Sequence, residues 1–317
     1  MTAKAARRLA AAFGMGAVLH GVGTSLIEGY SSEFSVRAML VLASLLAIAA
    51  GGQTLVVLLG GIDLSVPFLI GFGNVVAAQL FGQGIPFPLV CVVVLGAAAL
   101  IGAVNGLLSE GLSVHPLILT LGTGTAVQGF VLLWTAGFPS GSAPEAVNTF
   151  VSIGATVWVL PVPGIVPTTA AAGLLMMLTL ARTPYGRRVY AMGANRTAAP
   201  FALIRPVRTA AITYAISAAS AATAGILFLG FTGSAYADVG QPYLFQSIAA
   251  VVIGGTALTG GQGGIAGTMA GAIVLTEANT LLIGLDLSPA LVQAALGAVI
   301  LVLLSLYGRM PPLRSTI

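Results

Sequence analysis

Charge is scarce in this sequence. Only 6% of the 317 residues are Asp, Glu, Lys or Arg, whereas hydrophobic residues make up 57% and glycine fills 42 positions. A soluble domain carries about 25% charged residues, and a chain of this length could not cover its surface with so few. The composition therefore excludes a large soluble protein and predicts an integral membrane protein.

Residues that catalyse reactions or bind metals are scarce as well. Cys91 is the single cysteine, so no intramolecular disulfide can form, and His20 and His115 lack the spacing of a zinc-protease motif. Lys4 is the single lysine, so the chain has no G-x-x-x-x-G-K-[ST] phosphate loop. We therefore expect a chain that is not an enzyme, with no catalytic residue, metal site or cofactor of its own.

Ten segments are apolar over about the 20 residues that a membrane-spanning helix needs. The first contains His20 and is rich in glycine, while the eighth is short and ends in glycines, so we expect the eighth to be broken or to cross only partly. The pattern predicts an all-α integral membrane protein of about ten transmembrane helices, forming a single domain over 1–317. The segments lie near 9–27, 38–59, 64–81, 88–108, 114–136, 163–181, 209–231, 244–258, 265–283 and 290–307.

The basic residues predict the orientation of these helices, because Lys and Arg favour the cytoplasmic side. With the N-terminus in the cytoplasm, ten crossings also place the arginine-rich segment 182–209 and the C-terminus there, and leave Arg37 as the one basic residue outside. The arginines cluster in polar breaks between apolar segments, so the net charge of +4 does not indicate nucleic-acid binding. Five acidic residues fall outside: Glu28, Glu33, Glu145, Asp238 and Asp286.

Two stretches of the sequence resemble each other. The stretch 105–122, NGLLSEGLSVHPLILTLG, shares N-x-L-L, G-L, a proline and a final L-G with 279–297, NTLLIGLDLSPALVQAALG. In the orientation above, the two copies run in opposite directions through the membrane. This arrangement predicts a five-plus-five inverted repeat, which is typical of transport proteins with a site between the halves.

Glycines recur at helical spacing in two places. Gly263, Gly267 and Gly271 are four residues apart, and Gly102 and Gly106 flank Asn105. Glycines on one helix face allow another helix to approach closely. The glycine-rich stretch 254–271 has no basic residue beside it, so helix packing explains it better than phosphate binding.

Polar residues at membrane depth are candidates for a solute pathway. Glu277 is the acidic residue well inside a predicted span, where an ionisable group is costly and is a functional candidate, although hydrogen bonding between helices would also explain it. Neutral amides could bind a hydroxylated solute or join helices. In GGIDLSVP, 60–67, we expect Asp63 or Ser65 to cap the next helix. The pathway candidates are Asn74, Gln79, Asn105, Gln128, Glu277 and Asn279.

Three motifs in order resemble one family. GGIDLSV, TPYGRRVYAMGANRTAA and IAAVVIGGTALTGGQGGIAGTMAGA are similar to segments of the ribose-type monosaccharide permeases of bacterial ABC importers, within a superfamily that includes branched-chain amino acid permeases. The resemblance spans roughly 38–305. It implies ten spans in the bacterial inner membrane, a second permease subunit, identical or different, and a cytoplasmic ATPase that holds ATP and Mg. It also implies a substrate-binding protein, periplasmic or lipid-anchored.

The resemblance gives the segment 182–209 the role of contacting the ATPase. The residues that carry this role are Tyr185, Gly186, Arg187, Arg188, Gly193, Asn195, Ala198 and Ala199. The chain departs from the family where a small residue, Gly and Ile usually follow, because it has Ala202, Leu203 and Ile204. It also has Pro67 where the third span usually starts with a small residue.

The expected function is that of a membrane subunit translocating a monosaccharide or related polyol, with ATP hydrolysed by the partner chain. A permease for nucleosides or branched-chain amino acids is the first alternative. An ion-coupled secondary transporter is a second alternative, but it should carry several membrane-embedded charges, and only Glu277 fits that description.

Overall fold

The computed structural model describes residues 3–112, 114–156, 162–288 and 290–298. These residues form helices and connections without a β-strand, which confirms the all-α prediction. Residues 290–298 are helical, and two 3-10 turns cover Ala199–Ala202 and Ala237–Gly240. The other helices are α1 Ala3–Leu26, α2 Glu33–Leu58, α3 Val66–Gly82, α4 Phe87–Gly111, α5 Pro116–Trp134, α6 Glu145–Val151, α7 Ile165–Arg182, α8 Pro184–Ala194, α9 Pro206–Thr232, α10 Tyr243–Ile253 and α11 Ile265–Gly284.

Six of the described helices, α2, α4, α5, α7, α9 and α11, are long and apolar enough to cross a membrane. Two shorter apolar helices cover Ala10–Leu26 and Val66–Gly82. The chain is therefore a multi-pass membrane protein. α10 has 11 residues, about half of what a full crossing requires, as expected for the eighth segment. Residues 290–298 of the predicted tenth segment are helical, and the rest of that segment lies outside the described residues together with the C-terminus.

Local sequence signals set the helix ends. Ser32 caps α2 by accepting a hydrogen bond from the Ser35 amide at 3.3 Å. Prolines occupy the first turn of α3, α4, α5, α8 and α9, where no amide donor is needed. Gly233 follows α9 and terminates it, because its φ of +74° is a left-handed conformation that glycine adopts readily.

Helices α2 and α9 form the centre of the structure and pack on each other. α3 and α4 pack on α9, while α10 and α11 pack on α2. The two central helices come very close at Gly52, where a Cβ atom would lie 2.7 Å from the Ser217 Cα. Small residues at this crossing let the backbones meet, as in other membrane helix pairs.

The glycines of α4 and α11 act as helix-packing positions, as predicted. A side chain at Gly102 would collide with the Tyr214 carbonyl, and one at Gly106 would collide with Ala210 on the same helix, α9. On α11, Gly267 and Gly271 face carbonyl groups at the end of α10. Gly263 differs because it precedes α11, with a φ of +131°, and packs on Thr256.

We expect Gly102→Leu to destabilise the subunit by about 1–3 kcal/mol or more, because the new side chain must overpack the contact with α9. Gly96 is the matched control, since it lies on the same helix and nothing within 4 Å would meet a Cβ there. Thermal unfolding in detergent measures both variants. Equal stability of Gly102→Leu and Gly96→Leu would contradict the close α4–α9 packing.

Candidate functional site

Helix α8 has one buried face and one exposed basic face. Thr183 caps its start by accepting from the Gly186 amide at 3.4 Å, and Pro184 follows in the first turn. Val189 and Met192 are buried, whereas Arg187 and Arg188 are exposed. The helix is therefore amphipathic, and its arginine side chains are available to another molecule.

The buried face of α8 contacts two other parts of the subunit through tyrosines. The Tyr185 hydroxyl lies 2.9 Å from the Thr213 hydroxyl on α9. The Tyr190 hydroxyl donates to the carbonyl of Gly263, 2.9 Å away, in the connection between α10 and α11. Burial raises the pKa of the Tyr190 hydroxyl above its ordinary value, so this donor stays protonated.

The end of α8 enters a junction of three backbones. The Gly261 amide donates to the carbonyl of Leu58, the last residue of α2, at 2.9 Å. A Cβ at Gly193 would collide with that same carbonyl and with the Gly261 nitrogen. Gly193 is thus required for contact within this chain, and any displacement of α8 must act on α2 and on the connection 254–264.

Residues after α8 fix the following turn. The Asn195 side chain accepts hydrogen bonds from the Thr197 hydroxyl at 2.8 Å and the Ala198 amide at 3.0 Å. Arg196 forms an ion pair with Glu110 near the end of α4. The sequence pattern did not indicate this pair, because the partners are 86 residues apart. Of the remaining predicted contact residues, Ala198 is exposed, while Gly186 and Ala199 are buried.

The predicted pathway residues bond to different partners. Asn74 is buried, donates to the Gly225 carbonyl at 3.3 Å and accepts from the Tyr236 amide at 2.8 Å. Gln79 donates to the Ser140 carbonyl at 3.2 Å, and Gln128 donates to Asp238 at 2.6 Å. These contacts join α3 to α9, and helices to connecting segments. Their role in a solute pathway stays a prediction.

Glu277 connects α11 to α1 and to the segment after it. His20 Nδ1 lies 3.1 Å from one carboxylate oxygen, and the Tyr30 hydroxyl donates to the other at 3.0 Å. His20 and Glu277 also line a cavity of about 340 Å³ between α1 and α11. Asn279 is half-buried two residues further along α11. Glu277 therefore has hydrogen-bonding partners between helices, which was the alternative to a transport role.

Asp63 is the most deeply buried acidic side chain in the described part of the chain, with 2% exposure. Its carboxylate accepts from the Ser65 amide at 3.0 Å, the Ser65 hydroxyl at 2.5 Å and the Ser217 hydroxyl at 2.9 Å. Neither Asp63 nor Ser65 caps α3 through its side chain, so the capping prediction was wrong. The position before α3 suggested a cap, but the carboxylate is buried and accepts from Ser217 on α9 instead.

The connection between α2 and α3 is satisfied by neighbouring helices. The Leu64 amide donates to the Thr120 hydroxyl of α5 at 2.9 Å. Gln53, in the amide orientation that satisfies both groups, donates to the Asp63 carbonyl at 3.1 Å and accepts from its amide at 3.2 Å. Asn105 of α4 donates to the Ser65 hydroxyl at 3.4 Å. Asn105 is thus part of a buried network that links α2, α4, α5 and α9.

Residues 35–304 match the family described as the permease component of the branched-chain amino acid transport system. The chain belongs to this permease family. The match covers the buried connection, α8 and the glycine-rich segment, and it begins after α1.

Curated relatives support the same assignment of this permease. A ribose import permease protein of Haemophilus influenzae is 33% identical, with 90% of this chain and 88% of the relative covered. One of Bacillus subtilis is 33% identical, with 73% and 71% covered. An autoinducer 2 import system permease protein of an Enterobacter strain is 32% identical, with 92% and 84% covered. No solved structure matches the permease significantly.

We expect Asp63→Asn to destabilise the permease by about 1–3 kcal/mol, because the new amide nitrogen faces donors and leaves buried groups unpaired. Asp286→Asn is the control, since Asp286 is exposed and asparagine also accepts its left-handed backbone, with a φ of +60°. Thermal unfolding in detergent compares the two. If both variants unfold like the unmodified subunit, the buried hydrogen bonds of Asp63 do not hold these helices together.

Proposed function

We propose that this permease is the membrane subunit of a bacterial ATP-binding-cassette importer for a monosaccharide or a related polyol. The observation that carries the proposal is the architecture of α8, with Arg187 and Arg188 exposed on one side and Tyr185, Tyr190 and Gly193 held by the subunit on the other. The names of the relatives, import permeases for ribose and autoinducer 2, support the solute class.

Force would pass through α8 in this proposal. A cytoplasmic ATPase, which would hold ATP and Mg, closes its halves and displaces the exposed face of α8. The junction of Gly193 with Leu58 and Gly261 transmits the displacement to α2 and to the connection before α11. The Tyr185–Thr213 contact transmits it to α9. Because α2 and α9 lie in different halves of the proposed repeat, their displacement would move one half against the other, as alternating access requires.

The proposed location is the bacterial inner membrane, with both termini and 182–209 in the cytoplasm. The end of α2, the end of α8 and the connection after α10 meet at one end of the bundle. Gln79, near the end of α3, contacts Ser140 beyond the end of α5. The arginine distribution predicts that the first set of segments lies on the cytoplasmic side and that Gln79 and Ser140 lie on the opposite side, so both sets of contacts agree with it.

The helix contacts support the proposed five-plus-five repeat. α3 and α4 follow α2 in the first half and pack on α9, whereas α10 and α11 follow α9 in the second half and pack on α2. α2 and α9 pack on each other. If α2, α3 and α4 correspond to α9, α10 and α11, the contacts made by one half are therefore repeated by the other. The proposed transporter contains a second permease subunit and a substrate-binding protein on the opposite side from the ATPase.

Other solutes and energy sources remain distinguishable by experiment. The description of the matching family names branched-chain amino acids, and nucleosides are a further alternative. In an ion-coupled transporter Glu277 would carry the ion, but this carboxylate is engaged by His20 and Tyr30. Because the Glu277 carboxylate already has partners within the subunit, we favour an energy source outside the subunit, namely ATP hydrolysis by a partner chain.

Uptake assays test the proposal. The subunit is reconstituted in vesicles with the ATPase that co-purifies from native membranes and with the binding protein. We expect uptake of radiolabelled ribose or a related sugar to require ATP and to persist when an uncoupler removes the proton gradient. Uptake of leucine or adenosine instead would change the solute class, and loss of uptake on uncoupling at constant ATP would overturn the ATP-driven mechanism.

A second prediction concerns the exposed arginines. We expect Arg187→Gln combined with Arg188→Gln to weaken ATPase binding by about 2- to 30-fold at low salt, because an exposed charge pair typically contributes about 0.2–1 kcal/mol. The difference should shrink at high salt, where exposed charges are screened. Equal affinities of variant and unmodified subunit at low salt would contradict a charge-paired α8, and unchanged thermal stability controls for folding.

A further inference from the structure

Leu203 combines an unfavourable backbone with an exposed side chain. It ends the 3-10 turn Ala199–Ala202 in the left-handed region, with a φ of +57°. Residues other than glycine avoid this region because the Cβ comes too close to a carbonyl oxygen. Asparagine can offset this cost with local hydrogen bonds of its side chain, but leucine cannot. The side chain is 93% exposed. Leu203 therefore strains the backbone without burying its side chain within the subunit.

The left-handed turn itself is structurally required. The Leu203 amide donates to the Pro200 carbonyl at 3.0 Å, and the Ile204 amide donates to the Ala199 carbonyl at 3.3 Å. This geometry returns the chain so that Ala199 and Ile204 pack in the same apolar cluster as Met192. Glycine at position 203 would form the same turn without strain. The turn geometry therefore does not explain the presence of a leucine side chain.

A second large apolar side chain is displayed beside it. Phe201 is also 93% exposed and lies two residues before Leu203. The turn is held by the packing of Ala199 and by the Arg196–Glu110 ion pair before it. Arg205 and Arg208 follow and are exposed, and the segment 182–209 contains no acidic residue. A fixed apolar pair with basic neighbours is suited to an apolar pocket rimmed by carboxylates.

We propose that Phe201 and Leu203 are the apolar anchors by which this permease docks on its ATPase subunit. This inference rests on the proposed function, and it adds that the ATPase presents an apolar pocket with an acidic rim. Buried apolar anchors surrounded by polar contacts commonly dominate the affinity of protein interfaces. The anchors are continuous with α8, whose inner contacts reach α2 and α9, so docking here places the ATPase against the helix that transmits movement.

The backbone strain favours a protein partner over the lipid surface. Apolar side chains enter a bilayer interface from any backbone conformation, so lipid contact alone gives no reason to keep leucine in a left-handed turn. A pocket of fixed shape requires the side chain at one position and in one direction. Because Phe201 and Leu203 would fill that pocket, they would also select the cognate ATPase among others.

Three substitutions at residue 203 separate the side chain from the backbone. Glycine and asparagine accept the left-handed turn but remove the apolar group, whereas methionine keeps the apolar group. We expect Leu203→Gly and Leu203→Asn to bind the ATPase about tenfold or more weakly, as loss of a buried apolar side chain implies. Leu203→Met should bind like the unmodified subunit. Thermal stability of Leu203→Gly should be unchanged or higher.

The measurement is titration of the purified ATPase, isolated from its native complex, onto the permease in nanodiscs, with substrate-stimulated ATP hydrolysis as a second readout. Phe201→Ser should weaken binding as Leu203→Asn does. If the unmodified permease binds the ATPase but Leu203→Gly and Phe201→Ser bind equally well, the anchor assignment is wrong while the proposed function stands. If the unmodified permease binds no ATPase, the proposed function itself fails.

The lipid alternative has its own readout. The fluorescence of Phe201→Trp, compared in nanodiscs of ordinary and brominated lipid, reports contact with acyl chains, and the two native tryptophans are replaced by phenylalanine to remove background. We expect no additional quenching by brominated lipid and a spectral blue shift on adding ATPase, because the side chain leaves water for an apolar pocket. Strong quenching by brominated lipid without ATPase would assign the anchors to the membrane and overturn the inference.

Discussion

Backbone polar groups away from water must find partners within the protein, and the α2–α3 connection meets this requirement through side chains. A buried backbone N–H or C=O group without a partner costs about as much free energy as a lost hydrogen bond. The Leu64 amide uses Thr120, the Ser65 amide uses Asp63, and Gln53 satisfies both backbone groups of Asp63. This connection is therefore held by α2, α5 and α9 together and cannot move independently of them.

Close backbone contact extends this rigidity to α8. Where Gly193 meets Leu58 and Gly261, there is no side chain between the segments to absorb a displacement. Packed interiors respond to displacement by switching between discrete arrangements rather than by continuous deformation. The glycines therefore couple α8 mechanically to the central helices, whereas Arg187 and Arg188 of the same helix are exposed. The two faces of this short helix thus differ: one packs on the subunit, and the other is exposed.

Features with local periodicity were predictable from the sequence, and long-range pairs were not. Apolar length indicated the spans, and four-residue spacing indicated the packing role of Gly267 and Gly271, because both signals lie within one helix. The burial of Asp63 depends on Ser217, 154 residues away, and no spacing rule connects them. The unusual Pro67 is accommodated because the first turn of α3 needs no amide donor, and Gly240 leaves room beside its carbonyl.

Helix α1 gives the Glu277 carboxylate a hydrogen-bonding partner, His20. The family match begins at residue 35, after α1 has ended at Leu26. α1 packs on α11, and its polar contact to that helix is between His20 and Glu277, with Tyr30 closing the pair from the following segment. An acid in a membrane helix needs such partners. Asp63 is likewise engaged by Ser65 and Ser217, so each of these two carboxylates has hydrogen-bonding partners on a neighbouring helix.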